Sequence, residues 1–517
     1  MDELDDIPQE EIKTTRLAWH WRFARTLLLT AAATTALVLG YMVFWPWDKP
    51  PPQDADLRQL QLPPPCDPQD NAWPRLEAAQ QRITNEIEIA IPPAKRQPGD
   101  KGTKKVTWCQ SYDDGFLYSP SLIARDWKAD VADTALNANA AIFPLIDQAL
   151  LRQSFSSLPA AAENGDAAGN PFGGGGQLEP APVNLSTLNY LLKLKAIKEQ
   201  VAGNHAGATK AILQRLRITQ MVFDNLGKSN YNNMTDAMQS LDELLRQPAL
   251  PAPVLEQLAD GMKPWNQKSA TAQIKNGLCR EYQRSAATLL NPQDNKCWII
   301  GLGSSQAPVP AWSFKPRMTC RRLADETRLA ISKASQPYVK FMTDMPPELS
   351  PILLRKQTLL WAFRRNGLGS LSIDWRKRNV FAFQKELPCA QEFRYSALRL
   401  VIACKRHELK YGKLPEDLQA LVPEFLPAVP RDPFDGQPFR YSPVKRLVYS
   451  VGINGLDDGG SGTDSWSLWA ARKNLDLIMF IDRPALPPVI VPPLESYVDQ
   501  LPVPAPGGPG VGTGPFR

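Results

Sequence analysis

The feature that most constrains this 517-residue chain is the run TLLLTAAATTALVLGYMVFWPW, Thr26 to Trp47, in which 22 consecutive residues carry no charge. At 1.5 Å per residue a helix of that length reaches about 33 Å, enough to cross the hydrocarbon core of a bilayer. The run predicts a transmembrane helix over residues 26-47, with the lipid bilayer as its first partner. Trp19 and Trp21 precede it and Trp45 and Trp47 end it, where indole rings favour the two interfaces. A cleaved signal peptide has a shorter apolar core and a small-residue cleavage site, and VFWPWDKPPP offers no such site. Lys13, Arg16, Arg22 and Arg25 stand before the run and Lys49 alone stands close behind it. The positive-inside bias then makes residues 1-25 a cytoplasmic tail and places the bulk of the chain on the far side of the membrane. Ala32, Ala36 and Gly40 put small side chains on one stripe of the helix, which lets a second copy approach closely and form a homo-oligomer, although alanine richness alone gives the same stripe.

Charge and composition exclude several classes of function. Lys plus Arg number 59 and Asp plus Glu 53, a formal net charge of +6 without a basic cluster, so no nucleic-acid partner is expected. The three histidines, His20, His205 and His407, leave little room for multi-histidine metal sites or histidine-based catalysis. The seven cysteines include no C-x-x-C pair, which removes the usual thiolate zinc and thioredoxin-type signatures. In an oxidising space an odd number leaves at least one thiol unpaired or bridging to another chain. WIIGLGSSQ at 298-306 lacks both the third glycine of a dinucleotide loop and the lysine of a P-loop. Ser461 in GGSGT lacks the flanking glycine of a nucleophile elbow. Asp113 and Asp114 precede a glycine and read as a turn. No residue is assigned a catalytic role.

Beyond the apolar run, residues 48-72 contain two triple-proline runs and read as a Pro-rich stalk. Residues 73-157 form a mixed region, in which KVTWCQSYDDGFLYSPSLIA at 105-124 suits a short hairpin. Residues 158-183, with four successive glycines, read as a flexible linker. The apolar stripes Leu191, Leu194, Ile197, Val201, then Ile212, Leu216, Phe223, Leu226, then Met234, Met238, Leu241, Leu245, predict helical hairpins or an irregular helical bundle over 184-388. More helices are expected at 320-341 and 349-365, and a Pro/Gly-rich tail occupies 483-517.

Residues 389-482 carry the most specific pattern. PCAQEFRYSALRLVIACKRHELKYGKLP gives an apolar helical face ending near Gly412, RDPFDGQPFRY supplies turn formers, and PFRYS and RLVYSVG are two short β runs. YSVGINGLDDGGSGTD follows as an acidic, glycine-rich loop. This order resembles the globular end of the major pseudopilins of type II secretion systems, and the same arrangement is similar to the C-terminal part of membrane-anchored bacterial proteins with helical middle regions. The chain departs from a pseudopilin at its N-terminus, where its first glycine, Gly40, lies inside the apolar run. The resemblance implies a small α+β module, and it implies calcium in the acidic loop, with Asp457, Asp458 and Asp464 as ligands and Ser461 as a weaker one. A solvated turn accounts for the same residues without a metal.

The expected fold class is therefore mainly α: an N-terminal transmembrane helix, a helical bundle and a small pseudopilin-like α+β module. The expected protein is a single-pass component of a bacterial inner (cytoplasmic) membrane, with its N-terminus cytoplasmic, its bulk extracytoplasmic, and an unidentified envelope protein as partner. A membrane-tethered enzyme such as a hydrolase and a secretion or pilus-like accessory component are the alternatives.

Overall fold

A computed structural model describes residues 9–44, 52–60, 66–67, 69–90, 102–108, 129–152, 154–155, 185–226, 231–247, 250–262, 264–290, 314–343, 345, 366–463 and 475–482. The expected linker at 158-183, the helix at 349-365, the glycine turn at 298-306 and the tail at 483-517 lie outside these residues, as do Asp113, Asp114 and Asp464. The chain is mainly helical with a small sheet, and divides into two compact units.

The first unit comprises Met1–Leu62, Gln267–Cys389 and Phe434–Gly436. It opens with α1, Gln9–Phe44, and here the expectation of a transmembrane helix at 26-47 is corrected. Helix α1 begins well before the uncharged run and includes Glu10, Glu11, Lys13, Arg16, Arg22 and Arg25. Its uncharged part ends with the helix at Phe44, about 28 Å from Thr26 and short of the expected span over 26-47. Among the described residues no helix is long and apolar enough to cross a membrane.

The core of this unit is built from α10 (Gln267–Leu290), α11 (Pro316–Ser332) and α13 (Gly367–Arg376), with the short α12 (Tyr338–Met342) beside them. Pro316 and Pro337 suit the helix starts, where a missing N–H costs nothing. Asn366 adopts a left-handed conformation, φ 53°, which asparagine tolerates better than most residues. Its Oδ1 accepts the Lys315 N–H at 2.7 Å and the Thr319 hydroxyl at 3.0 Å, tying the start of α13 to the start of α11. Part of the segment expected to form the Pro-rich stalk, 48-72, packs into this core. Within it, α2 (Ala55–Arg58) buries Leu57 among Ile274, Leu278 and Tyr282. Tyr282 donates its hydroxyl to Asp54 at 2.7 Å, and Arg328 forms a two-pronged pair with Asp56, both contacts 2.8 Å.

The second unit comprises Pro63–Asn266, Ala390–Pro433 and Gln437–Arg517. Its first core joins α3 (Trp73–Gln81), α4 (Ala129–Ala138), α5 (Ile142–Leu150), α6 (Ser186–Val201) and α7 (His205–Leu226). Strand β1 (Glu86–Ala90) pairs antiparallel with β2 (Thr103–Thr107). The expected hairpin at 105-124 thus contributes Lys105–Thr107 to a pair with an earlier strand, and 109–124 lie outside the described residues. Gly203 ends α6 with φ +72°, a conformation that disfavours any side chain, and Asn204 Oδ1 accepts the Gly207 N–H at 3.0 Å to start α7. Helices α8 (Tyr231–Leu245) and α9 (Ala252–Gly261) continue the bundle.

A π-helical turn, Lys377–Phe381, leads from α13 into α14 (Ala382–Tyr411), whose residues from Ala390 count with the second unit. After Gly412 and a 3₁₀ turn at Leu418–Leu421 come β3 (Arg440–Ser442), β4 (Leu447–Ser450), β5 (Gly462–Thr463) and β6 (Asp476–Phe480). The sheet order is β3-β4-β6-β5, antiparallel except for the β5-β6 pair. Arg446 donates to both carboxylate oxygens of Glu408 at 2.9 and 3.1 Å and pairs with Asp482, while Lys405 reaches Asp482 at 2.9 Å. These charges fasten α14 to the sheet.

Candidate functional site

Of the residues implied as calcium ligands, Asp457, Asp458 and Ser461 are described and Asp464 is not. Asp457 accepts from Arg440 Nε at 3.2 Å and from the Gly459 N–H at 2.9 Å. Asp458 accepts from Asn454 Nδ2 at 3.1 Å, and its backbone carbonyl accepts the Ser461 N–H at 3.2 Å. The two carboxylates are thus engaged with separate partners. Among the described residues no group of three or more His, Cys, Asp or Glu could hold a metal ion.

The loop is organised by a residue that sequence reasoning passed over, Asp476 at the start of β6. Its side chain is buried and accepts the Asp458 N–H at 3.3 Å and the Gly460 N–H at 2.7 Å. Burial pushes its carboxyl pKa up against those two N–H groups, and the neighbouring Asp457 and Asp458 charges add to the rise. Gly460, φ +71°, lies so close to Leu447 that a Cβ would stand 3.0 Å from its Cδ1. A single acid in the apolar run LDLIMF was the available signal. Asp432 does similar work at the head of the sheet: fully buried, it accepts from Ser450 Oγ at 2.8 Å, the Val451 N–H at 3.2 Å and Arg440 Nη1 at 3.0 Å.

The helical bundle of the second unit contains a second charged cluster. Lys193 on α6 pairs with Asp236 on α8 at 2.6 Å, and Arg215 on α7, with no exposed surface, pairs with Asp236 and donates to Ser240 at 2.7 Å. Burial pushes the Asp236 carboxyl up, but the Arg215 and Lys193 charges outweigh it and hold the group below the usual carboxylate range. Glu243, two turns from Asp236 on α8, differs. Burial pushes it up to about 8, with Lys193 and Arg246 opposing and Asp236 and Asp242 adding to the rise. Lys193 and Arg215 interrupt apolar helical faces, a pattern visible in sequence but not singled out there. His407 is buried, with Nδ1 2.9 Å from the Lys413 carbonyl oxygen and its ring against Tyr411 and Phe425. It is a packed structural group.

The surface of α1 is the most unusual feature. Every described side chain from Trp19 to Val38 is exposed, including Trp21 at 73 %, Leu28 at 71 % and Leu37 at 72 %. The threonines on this stretch do not need water: Thr26, Thr30 and Thr35 donate to the Arg22, Thr26 and Ala31 carbonyls at 2.9, 2.9 and 2.7 Å, and Thr34 donates to the Thr30 carbonyl. An apolar helix whose hydroxyls are satisfied by its own backbone is suited to surroundings that offer no hydrogen bonds.

No protein-family model matches the chain, and neither a curated protein nor a solved structure matches it.

Proposed function

We propose that the protein is a structural, partner-binding component held at a lipid surface by α1. One observation carries the reading: a continuous stretch of exposed Leu, Val, Phe and Trp side chains on α1 whose threonine hydroxyls bond back into the helix. Leaving this much contiguous apolar surface in water is unfavourable by about 25 cal/mol per Å². Arg22 and Arg25 within the helix, with Trp19 and Trp21 beside them, supply the cation and indole groups that sit well at a headgroup layer. The C-terminal module, a helix fastened to a small sheet and related by resemblance to pseudopilin ends, is assigned the partner-binding role. A location at a bacterial membrane surface belongs to the same reading.

Flotation with phospholipid vesicles tests it. The full-length chain is expected to float with the vesicles, and the double variant Leu28→Asp, Leu37→Asp to remain in the soluble fractions. A full-length chain that stays at the bottom of the gradient, or a double variant that floats equally well, would overturn the proposal.

A further inference from the structure

Along α1 the charges are of one sign. From Ile12 to Phe44 the helix contains Lys13, Arg16, Arg22 and Arg25 and no aspartate or glutamate. Arg22 and Arg25 are exposed, and among the described residues no carboxylate pairs with either guanidinium. Glu11, the nearest acid on the helix, lies eleven residues before Arg22, about 16 Å along the axis. Elsewhere in the chain Arg215, Arg328 and Arg446 each have a carboxylate partner, so the two bare guanidiniums on α1 stand apart.

Their placement is ordered along the axis. Arg22 and Arg25 are three residues apart, so their side chains neighbour each other on one face and can approach a single phosphate group together. Trp19 stands one turn before Arg22 and Trp21 one turn before Arg25, 64 % and 73 % exposed. Leu27, Leu28 and Leu29 follow directly and are exposed as well. Indoles and guanidiniums thus occupy one short zone and leucines the next, which matches the succession of headgroup and acyl regions in a lipid layer.

The one-signed zone also selects among lipids. In phosphatidylcholine each phosphate carries its own ammonium, whose repulsion from the arginines offsets the attraction of the phosphate, and this stretch of α1 has no acid to receive that ammonium. Phosphatidylglycerol has the same phosphate without the cation. We propose that the Trp19–Arg25 stretch of α1 is a docking surface for anionic phospholipid, with Arg22 and Arg25 pairing with the headgroup phosphate and Trp19 and Trp21 beside it. The proposal rests on the lipid association of α1 and adds the class of lipid that it prefers.

The test is co-sedimentation of the purified full-length protein with vesicles of phosphatidylcholine alone and of equal parts phosphatidylcholine and phosphatidylglycerol. The mixed vesicles are expected to bind at least about tenfold more tightly, a difference of about 1.4 kcal/mol, and the gap is expected to narrow as salt screens the charges. The double variant Arg22→Gln, Arg25→Gln is expected to reduce that preference by about tenfold while still binding phosphatidylcholine. Arg22→Lys, Arg25→Lys keeps both charges and is expected to retain most of the preference. Gln and Lys are both good helix formers, so the circular dichroism spectrum stays unchanged. Equal affinity for the two compositions, tighter binding to phosphatidylcholine through its choline on the indoles, or a preference untouched by the Gln variant would overturn the proposal and leave the lipid association of α1 standing. Absence of binding to both compositions would remove that association as well.

Discussion

At Glu243 the native fold holds a proton that the unfolded chain releases near the ordinary glutamate range, because burial pushes the carboxyl up to about 8. Between about pH 5 and pH 8 the native state therefore binds more protons than the unfolded one, and stability falls as pH rises, by at most about 1.4 kcal/mol per pH unit. Below this window the group is protonated in both states and its contribution is complete. Glu243→Gln keeps the shape and removes the titration. Thermal melts across the window are expected to show a declining midpoint in the parent and a flatter profile in the variant, which becomes the more stable of the two at pH 8. Parallel profiles would show that Glu243 titrates normally. The neighbouring Asp236 behaves oppositely for a stated reason: two cations, Lys193 and Arg215, reach it directly. Cys279 and Cys404 illustrate the same effect of burial on thiols, raised to about 11 and about 12 respectively, and are inert groups of the core.

At the scale of elements, α2 shows how a segment that reads as stalk becomes structure. Proline runs flank it in sequence, yet Leu57 is 1 % exposed and Gln283 Nε2 donates to its carbonyl at 3.0 Å. Leu57→Ala removes a buried side chain from a core that cannot fully collapse, and is expected to cost about 2 to 5 kcal/mol in denaturant unfolding of the full-length protein. A cost below about 0.5 kcal/mol, the range of ordinary surface substitutions, would mean that α2 does not pack as described. The hairpins α6-α7 and α7-α8 were legible because Leu, Ile and Met recur at helical spacing and Gly203 with Asn204 mark the first turn. What could not be read is which charged residues turn inward. Lys193, Arg215, Asp236, Asp432 and Asp476 meet partners distant in sequence or on other elements, and residue type gives no sign of such pairing. The acidic loop was visible as GLDDGGSGT, but its organiser Asp476 lies beyond the loop, on β6, and acts by accepting the Asp458 and Gly460 N–H groups.

At the scale of the whole molecule, α1 carries the account. Sequence located the apolar run, whereas the structure begins the helix at Gln9 and extends it through charged residues, so length without charge was a poor guide to what the helix does. The exposed leucines and the threonines closed on their own backbone give the reading of lipid association instead. The most direct measurement is to reconstitute the full-length protein into vesicles containing a lipid with a photoactivatable acyl chain, irradiate, and map the adducts by mass spectrometry. The account predicts adducts concentrated between Trp19 and Val38 and sparse on the two cores. Adducts absent from that stretch, or cross-links there to a second copy of the chain instead of lipid, would contradict it.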